Sequence, residues 1–342
     1  MQVSTSRVRR ALLAMAAIAF SVAVTASATA QSVQEFIPDP VAAYGGVAVT
    51  SDNIVWYTES SAGLVGGYHD GETIPFLVVP TPDSMPSSMT VGPDGNPWFL
   101  EAKAQKLARI NHDRSILEIP LPCAVSDSGL YGGSDALWLA ERCPTYEALL
   151  RVASDGAMTT YIIAPSLARV TSITETPDGN IWYTAAQRNS IGKLDLSGPF
   201  ISEIAIPTAS SSPMFILVGP DGAIWFEEYS ARQIARIDIS SGATAISEYA
   251  WPDTLMPIGL ASSSGTLWAI DSMKRVWNFS LSNGAIDRQP IASKESNLTA
   301  VALSKAANGN LWFTENGTRG ASALGLIRMD GVFADNLEAA LP

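Results

Sequence analysis

Seven tryptophans recur at a nearly constant interval, and that period governs what the chain can fold into. Aligned on them, the segments SDNIVWYTE, GPDGNPWFLE, GGSDALWLAE, TPDGNIWYTA, GPDGAIWFEE, SSSGTLWAID and AANGNLWFTE stack, with Trp56, Trp98, Trp138, Trp182, Trp225, Trp268 and Trp312 in register. The spacings are 42, 40, 44, 43, 43 and 44 residues. Each repeat reads as four short strands. An apolar stretch such as MTV or FILV leads into a turn of the Pro-Asp-Gly type, where Pro presets the first angle and Gly takes the left-handed one. The Trp strand follows, then LARIN, IGKLD, IARID or GLIRM, then ILEIPLP, ISEIAIP or ISEYAWP. Four strands in about 43 residues make a propeller blade.

The fold expected is therefore all-β: a seven-bladed β-propeller of four-stranded antiparallel blades, occupying residues 31–342 as one domain. The ends of the chain specify closure. VQEFIP at residues 33–38 reads as a fourth strand without the three before it, and the last repeat ends after its third strand. The N-terminal strand should complete the sheet that contains Trp312, which also removes the exposed sheet edges.

Residues 1–30 stand apart from the repeats. Arg7, Arg9 and Arg10 precede the apolar run ALLAMAAIAFSVAVTA, and Ala28-Thr29-Ala30 forms a small-residue cleavage pattern before Gln31. This is the layout of a secretory signal peptide, and the Arg9–Arg10 pair also suits the twin-arginine route. The expectation is a secreted or periplasmic monomer with no membrane span after cleavage. Removing residues 1–30 takes away three arginines and no acid, leaving 33 acidic against 18 basic side chains. So acidic a chain is repelled by nucleic acid and by anionic membranes. In an oxidising compartment, Cys123 and Cys143, the two cysteines present, are expected to form a disulfide, with two free thiols the alternative.

Propellers act through the loops at the ends of their central channel. The loops that lead into each first strand and those that leave each second strand are the longer and more varied, and they mark the functional face. His69 and His112 occupy equivalent positions in the turn after the third strand, on the opposite face, and read as exposed turn residues. No Ser-His-Asp triad or His-containing metal cluster is then available. Acids stand three residues after the Trp in six repeats: Glu59, Glu101, Glu141, Glu228, Asp271 and Glu315, with Ala185 in the fourth. Two readings stay open. In one the acids form a channel-side ring of oxygens that binds a ligand, with Glu101, Glu228 and Glu315 holding a hard cation such as Mg²⁺ or Ca²⁺. Alternatively they pair with local bases such as Lys103, Arg142, Arg232, Lys274 or Arg319.

The repeat unit of GPDG, WFTE, IGRI and EIPLP type resembles the streptogramin B lyase (virginiamycin B lyase) family of seven-bladed propellers. GPDGNPWFLE, TPDGNIWYTA, GPDGAIWFEE and NGNLWFTE carry the resemblance. It implies the same fold and, in members that act as lyases, Mg²⁺-assisted elimination at the ester of a cyclic depsipeptide. The histidines of a Pro-His-Gly motif before the first strand do that chemistry, in consecutive blades. A Glu two residues before one His and the WFTE glutamate complete the site. Here the His position is filled by Gly45, Ser87, Asp127, Thr171, Met214, Ile258 and Val301. Pro86, Pro213 and Pro257 remain, while Met85, Arg169, Ser212 and Met256 stand near the place of the paired Glu. Only the WFTE-type acids carry over. The function expected is thus a ligand- or partner-binding propeller without the His-based chemistry, its partner a small molecule or a protein on one face. The alternative is a metal-dependent lyase, or a lactonase resembling the gluconolactonase/regucalcin group, working through channel carboxylates.

Overall fold

In the computed structural model the chain is an all-β propeller. The structure describes residues 33–36, 43–164, 168–198, 200–240, 245–254, 256–263, 265–271, 275–279, 286–289, 298–306, 308–317 and 322–328. The signal peptide expected at residues 1–30 lies outside them. Among the described residues, seven four-stranded antiparallel sheets form, and no helix is long and apolar enough to cross a membrane. The seventh sheet joins Leu298–Lys305, Leu311–Gly317 and Ser322–Ile327 to Val33–Phe36, with Val33 opposite Ile327 and Phe36 opposite Leu324. The N-terminal strand thus sits beside the sheet of Trp312, as its sequence predicts. The first strand of every blade touches the first strands of both neighbours, so the ring is closed.

Strand alternation sets how the blades join. The Trp ring points towards the following blade, and the residue after it points towards the preceding one. Trp56 packs with Phe99 and Ala108, Trp182 with Ile224 and Phe226, Trp225 with Leu267 and Phe279, and Trp312 with Tyr44 and Tyr57. The seven hydrophobic clusters of the described residues are the seven seams. The aromatic after the Trp needs a small partner on the third strand. Tyr57, Tyr183 and Phe313 pair with Gly66, Gly192 and Gly325, where a Cβ would fall within 2.1 Å of the ring. Ala108 and Ala235 take that place beneath Phe99 and Phe226. This explains the small residue in IGK and IAR.

The Pro-Asp-Gly turns also fix the tryptophans. The Trp98 and Trp225 indole N–H groups each donate to the turn aspartate, Asp94 and Asp221, at 2.9 Å. Arg109 and Arg236 bond those aspartates at 3.2 and 2.8 Å while lying over the same indole rings. Burial opposes ionisation of Asp94 and Asp221, yet the bonds they accept outweigh it and hold both below the usual range. On the same face His112 is exposed and His69 meets only Asp70, at 3.7 Å. His112 lies in the turn after its third strand, as expected, whereas His69 is the last residue of the strand Leu64–His69 and pairs with Glu72.

Cys123 precedes a strand, Ala124–Gly132, and Cys143 follows its partner, Ala136–Arg142. Because Ala124 pairs with Arg142, the cysteines sit opposite one another and are joined as a disulfide with a Cα–Cα distance of 5.2 Å. Two stability predictions follow from these contacts. Trp225→Ala, which empties a fully buried site, should cost about 3–5 kcal/mol in urea unfolding. The Cys123→Ser/Cys143→Ser pair should cost about 3 kcal/mol, and thiol titration of the denatured, unreduced wild type should find no free cysteine.

Candidate functional site

Every first strand opens on an irregularity, and this defines the mouth of the propeller. The last residue of each second strand pairs with the residue just before it: Tyr44 with Glu59, Pro86 with Glu101, Val125 with Glu141, Val170 with Ala185, Pro213 with Glu228, Pro257 with Asp271 and Ala300 with Glu315. Register then slips at once, since the first strand carries extra residues at this point. Bulges of this kind re-aim side chains and cluster beside functional sites. The bulged residues are Gly45, Ser87, Thr171, Met214, Ile258 and Val301, each at the expected place. Blade 3 needs a correction. It carries a longer insertion between Val125 and Leu130, so Ser126 occupies the equivalent position and not Asp127. Counting residues misplaced it because the extra length sits inside the bulge.

The bulged residues divide around the ring. Blades 1–4 present Gly45, Ser87, Ser126 and Thr171, which are small or hydroxylated. Blades 5–7 present Met214, Ile258 and Val301; Met214, Phe215 and Ile258 are partly exposed. Met85 and Tyr229, next to the strand ends on this face, are 50% and 49% exposed.

The acids behave differently from a channel ring. Glu59, Glu101, Glu228 and Asp271 are 0% exposed and Glu141 is 2% exposed; the side chain of Glu315 lies outside the described residues. Glu101, Glu228 and Asp271 lie across the face of their own sheet, against groups of its outer strands and neighbouring loops, while Glu141 lines a small pocket with Ser126, Glu147 and Val170. Glu101 looks onto Ser84, Glu118 and Lys106, and Glu228 onto Ser211 and Glu248. Glu101 and Glu228 therefore do not converge on a shared cation. Among the described residues no three His, Cys, Asp or Glu side chains come together. The residues at the mouth, chiefly Ser, Thr, Gly, Met and Ile, do not fit a divalent-ion site there.

The counter-charges also differ from those expected. Arg275 pairs with Asp271, and Lys106 lies near Glu101 but pairs with Glu118; neither is among the bases expected. Arg142 pairs with Glu147, at 3.4 Å. Lys274 and Arg319 lie outside the described residues. Asp271 is bonded by Arg275 Nε at 2.6 Å and by the Trp277 indole at 3.0 Å.

Burial has a chemical consequence. It pushes the Glu101 carboxyl up to about 7; the nearby Ser84 hydroxyl resists and the Glu118 charge assists. Burial and then the Glu248 charge raise Glu228 to about 7 as well. Burial alone raises Glu141 despite the Cys123 backbone. No hydrogen bond of ordinary geometry reaches either oxygen of Glu101, Glu141 or Glu228. Sequence reasoning missed two groups. One is the fourth-strand glutamate, Glu118 or Glu248, whose recurrence in ILEIP and ISEYA was the available signal. The other is Glu227, one residue after Phe226, fully buried and pushed well up by that burial.

Comparison with known proteins shows one family by sequence and similar structures within it. The sequence profile described as the virginiamycin B lyase family matches residues 24–171 and 130–337. The virginiamycin B lyase of Nocardia farcinica is 27% identical over 172 residues, 49% of this chain, and the chain spans only 57% of that relative. A streptogramin B lyase structure superimposes with a TM-score of 0.75 at 22% identity, covering 87% of this chain and 98% of its own. A catalytically inactive histidine variant of Staphylococcus aureus virginiamycin B lyase with quinupristin superimposes at 0.74 with 26% identity, covering 87% and 99%.

The raised Glu101 carboxyl makes a pH dependence. A carboxyl whose folded pKa lies above its unfolded one weakens the fold as pH rises from about 4.5 to about 7. Glu101→Gln should therefore gain on the order of 2–3 kcal/mol over wild type at pH 8. That gain should fade towards pH 4.5 in urea titrations.

Proposed function

Because the chain belongs to the virginiamycin B lyase family, we propose that it is an exported member that uses the propeller as a binding platform without the family's imidazole chemistry. The observation that carries this reading is the set of bulged residues at the mouth. Gly45, Ser87, Ser126, Thr171, Met214, Ile258 and Val301 offer no group able to accept a proton near neutral pH. A general base must also reach the proton it removes. Glu101 and Glu228 have the right pKa, but they are shielded from solvent and face the outer strands of their sheets.

The mouth has a chemistry of its own. Its hydroxyl-lined half offers donors and acceptors, and its Met214–Phe215–Ile258 half offers partly exposed apolar surface. Such a division suits a peptide or cyclic depsipeptide, whose amides and esters would lie on one side and apolar side chains on the other. The relative solved with quinupristin supports that class of ligand. Export rests on the leader at residues 1–30, and the exported protein should begin at Gln31.

The second reading, a metal-dependent lyase or lactonase, is favoured by the two near-neutral carboxyls. One experiment separates the readings: incubation with streptogramin B and with simple lactones, with and without Mg²⁺, following both binding and ring opening. The expected outcome is saturable binding of the depsipeptide, weakened at least tenfold by Met214→Asp or Ile258→Asp, with no product formed. Mg²⁺-dependent ring opening lost in Glu101→Gln or Glu228→Gln would establish the enzyme instead.

A further inference from the structure

Two blades share an ionic arrangement at the end of the second strand, and a third repeats it with one part missing. In blade 2, Glu101 pairs in register with Lys106. The Lys106 ammonium bonds Glu118 Oε2 at 2.5 Å and Thr81 Oγ1 at 2.6 Å, and Ser84 completes the surround. In blade 6, Asp271 faces Arg275, whose guanidinium bridges Asp271 at 2.6 Å and Asp253 at 2.7 Å. Arg275 bridges its two carboxylates directly, while Lys106 bonds Glu118 and acts on Glu101 through its charge alone.

Blade 5 keeps the carboxylates and lacks the cation. Glu228 stands where Glu101 does, Glu248 where Glu118 does, and Ser211 and Thr208 where Ser84 and Thr81 do. Thr208 N–H donates to Glu248 at 3.0 Å, as Thr81 N–H donates to Glu118 at 2.8 Å. The residue in register with Glu228, however, is Gln233. Three observations bear on the place that this change leaves. Glu228 is 0% exposed and, like Glu101, receives no hydrogen bond of ordinary geometry; what blade 5 lacks is the ammonium that bonds Glu118, since among the described residues no cation pairs with Glu248. The Gln233 Oε1 is also buried and receives none. Arg232, the neighbouring cation, is exposed and makes no ion pair with either acid. A buried carboxyl without a donor costs several kcal/mol unless something answers it.

We propose that blade 5 binds a calcium ion in the place that the Lys106 ammonium fills in blade 2, held by Glu228, Glu248, the Gln233 side-chain oxygen and the Ser211 and Thr208 hydroxyls. The donors are all oxygen, which selects a hard cation over zinc or copper. Two carboxylates balance a divalent ion. The mixed set of carboxylate, amide and hydroxyl oxygens on three separate segments suits the flexible coordination of Ca²⁺ better than the strict octahedron of Mg²⁺. Glu248 and Gln233 are partly exposed, so the ion has a way in. The competing occupant is a proton shared by the two carboxyls. Calcium displaces it, so binding should release a proton and tighten with pH. This site lies apart from the mouth and is independent of the proposed ligand.

The test is calorimetric titration and thermal unfolding of the full exported chain after dialysis against a chelator, at pH 6 and pH 8, with CaCl₂, MgCl₂ and KCl. One Ca²⁺ should bind per chain at pH 8 and raise the melting temperature by several degrees, with affinity at least tenfold lower at pH 6. Glu248→Gln should weaken binding at least tenfold. Gln233→Lys should abolish it while making the metal-free protein as heat-stable as the calcium-loaded wild type. Arg232→Gln should bind as wild type does. Absence of stoichiometric Ca²⁺ binding at pH 8 would overturn the assignment. So would binding that survives Gln233→Lys, tighter binding of Mg²⁺ or K⁺ than of Ca²⁺, or affinity that rises in Arg232→Gln.

Discussion

The wedging of one indole into each seam is the contact on which everything else in this protein rests. A four-stranded sheet with two apolar faces has no stability alone, so each blade must bury both faces against neighbours. The Trp buries the leading face and the aromatic after it buries the trailing one. Each Trp must therefore sit at one depth, and the turn aspartates Asp94 and Asp221 hold the Trp98 and Trp225 indoles there through their N–H groups. The last seam, Trp312 against Tyr44 and Tyr57, forms only when the chain has come full circle. Val33–Phe36 then pairs onto the same blade and ties the first and last segments of the propeller together.

Because the period is carried by large buried side chains and by turn residues of defined geometry, the fold was legible from the residues alone. The site was legible only in part. Period two told which acids share a sheet face with which aromatics, but it could not tell whether that face meets the channel or a seam. Closure of the ring decides that, and it turned Glu101 and Glu228 away from the channel. The case of Ser126 has a different cause. Spacing locates a residue only while strand length is constant, and blade 3 stores its extra residues inside the bulge being counted. The counter-charges Lys106 and Arg275 were hidden for a related reason. They lie opposite the acids across a strand pair, and the separation in sequence differs, five positions in blade 2 and four in blade 6.

The seams also carry a polar thread that explains the threonine of WYTE and WFTE. Two residues after the Trp, Thr58 and Thr314 donate to the carbonyls of Ser87 and Gly45 in the following blade, both at 2.8 Å. In blade 4 the same link runs from Thr184 through Thr171 to Pro213. These bonds end at the bulged segments, so the backbone that shapes the mouth is held by the neighbouring blade. The shape of the mouth is thus a property of the closed ring and of no single blade. Two bulged residues take part in that support: the Thr171 hydroxyl relays the bond to Pro213, and a Cβ at Gly45 would fall 2.7 Å from the Thr58 hydroxyl.

Glu227 takes this argument one step further. It stands at the threonine position of blade 5, flanked by the seam residues Trp225 and Phe226, and it is wholly buried. Leu100, Ala140 and Ile270 show that the position tolerates an apolar side chain, so nothing in the fold demands an acid. An ionised carboxylate there would face the next blade's first strand with no cation to answer it, and burial accordingly drives Glu227 to its neutral form. A neutral carboxyl has a hydroxyl donor, which is what Thr58 and Thr314 contribute at the same place. Glu227 and Glu228 are adjacent in sequence but point to opposite faces of one strand. One lies where an uncharged donor is called for, and the other lies beside a second carboxylate with a cation's place open. The same residue type therefore meets two opposite electrostatic demands, set by the face on which each side chain falls.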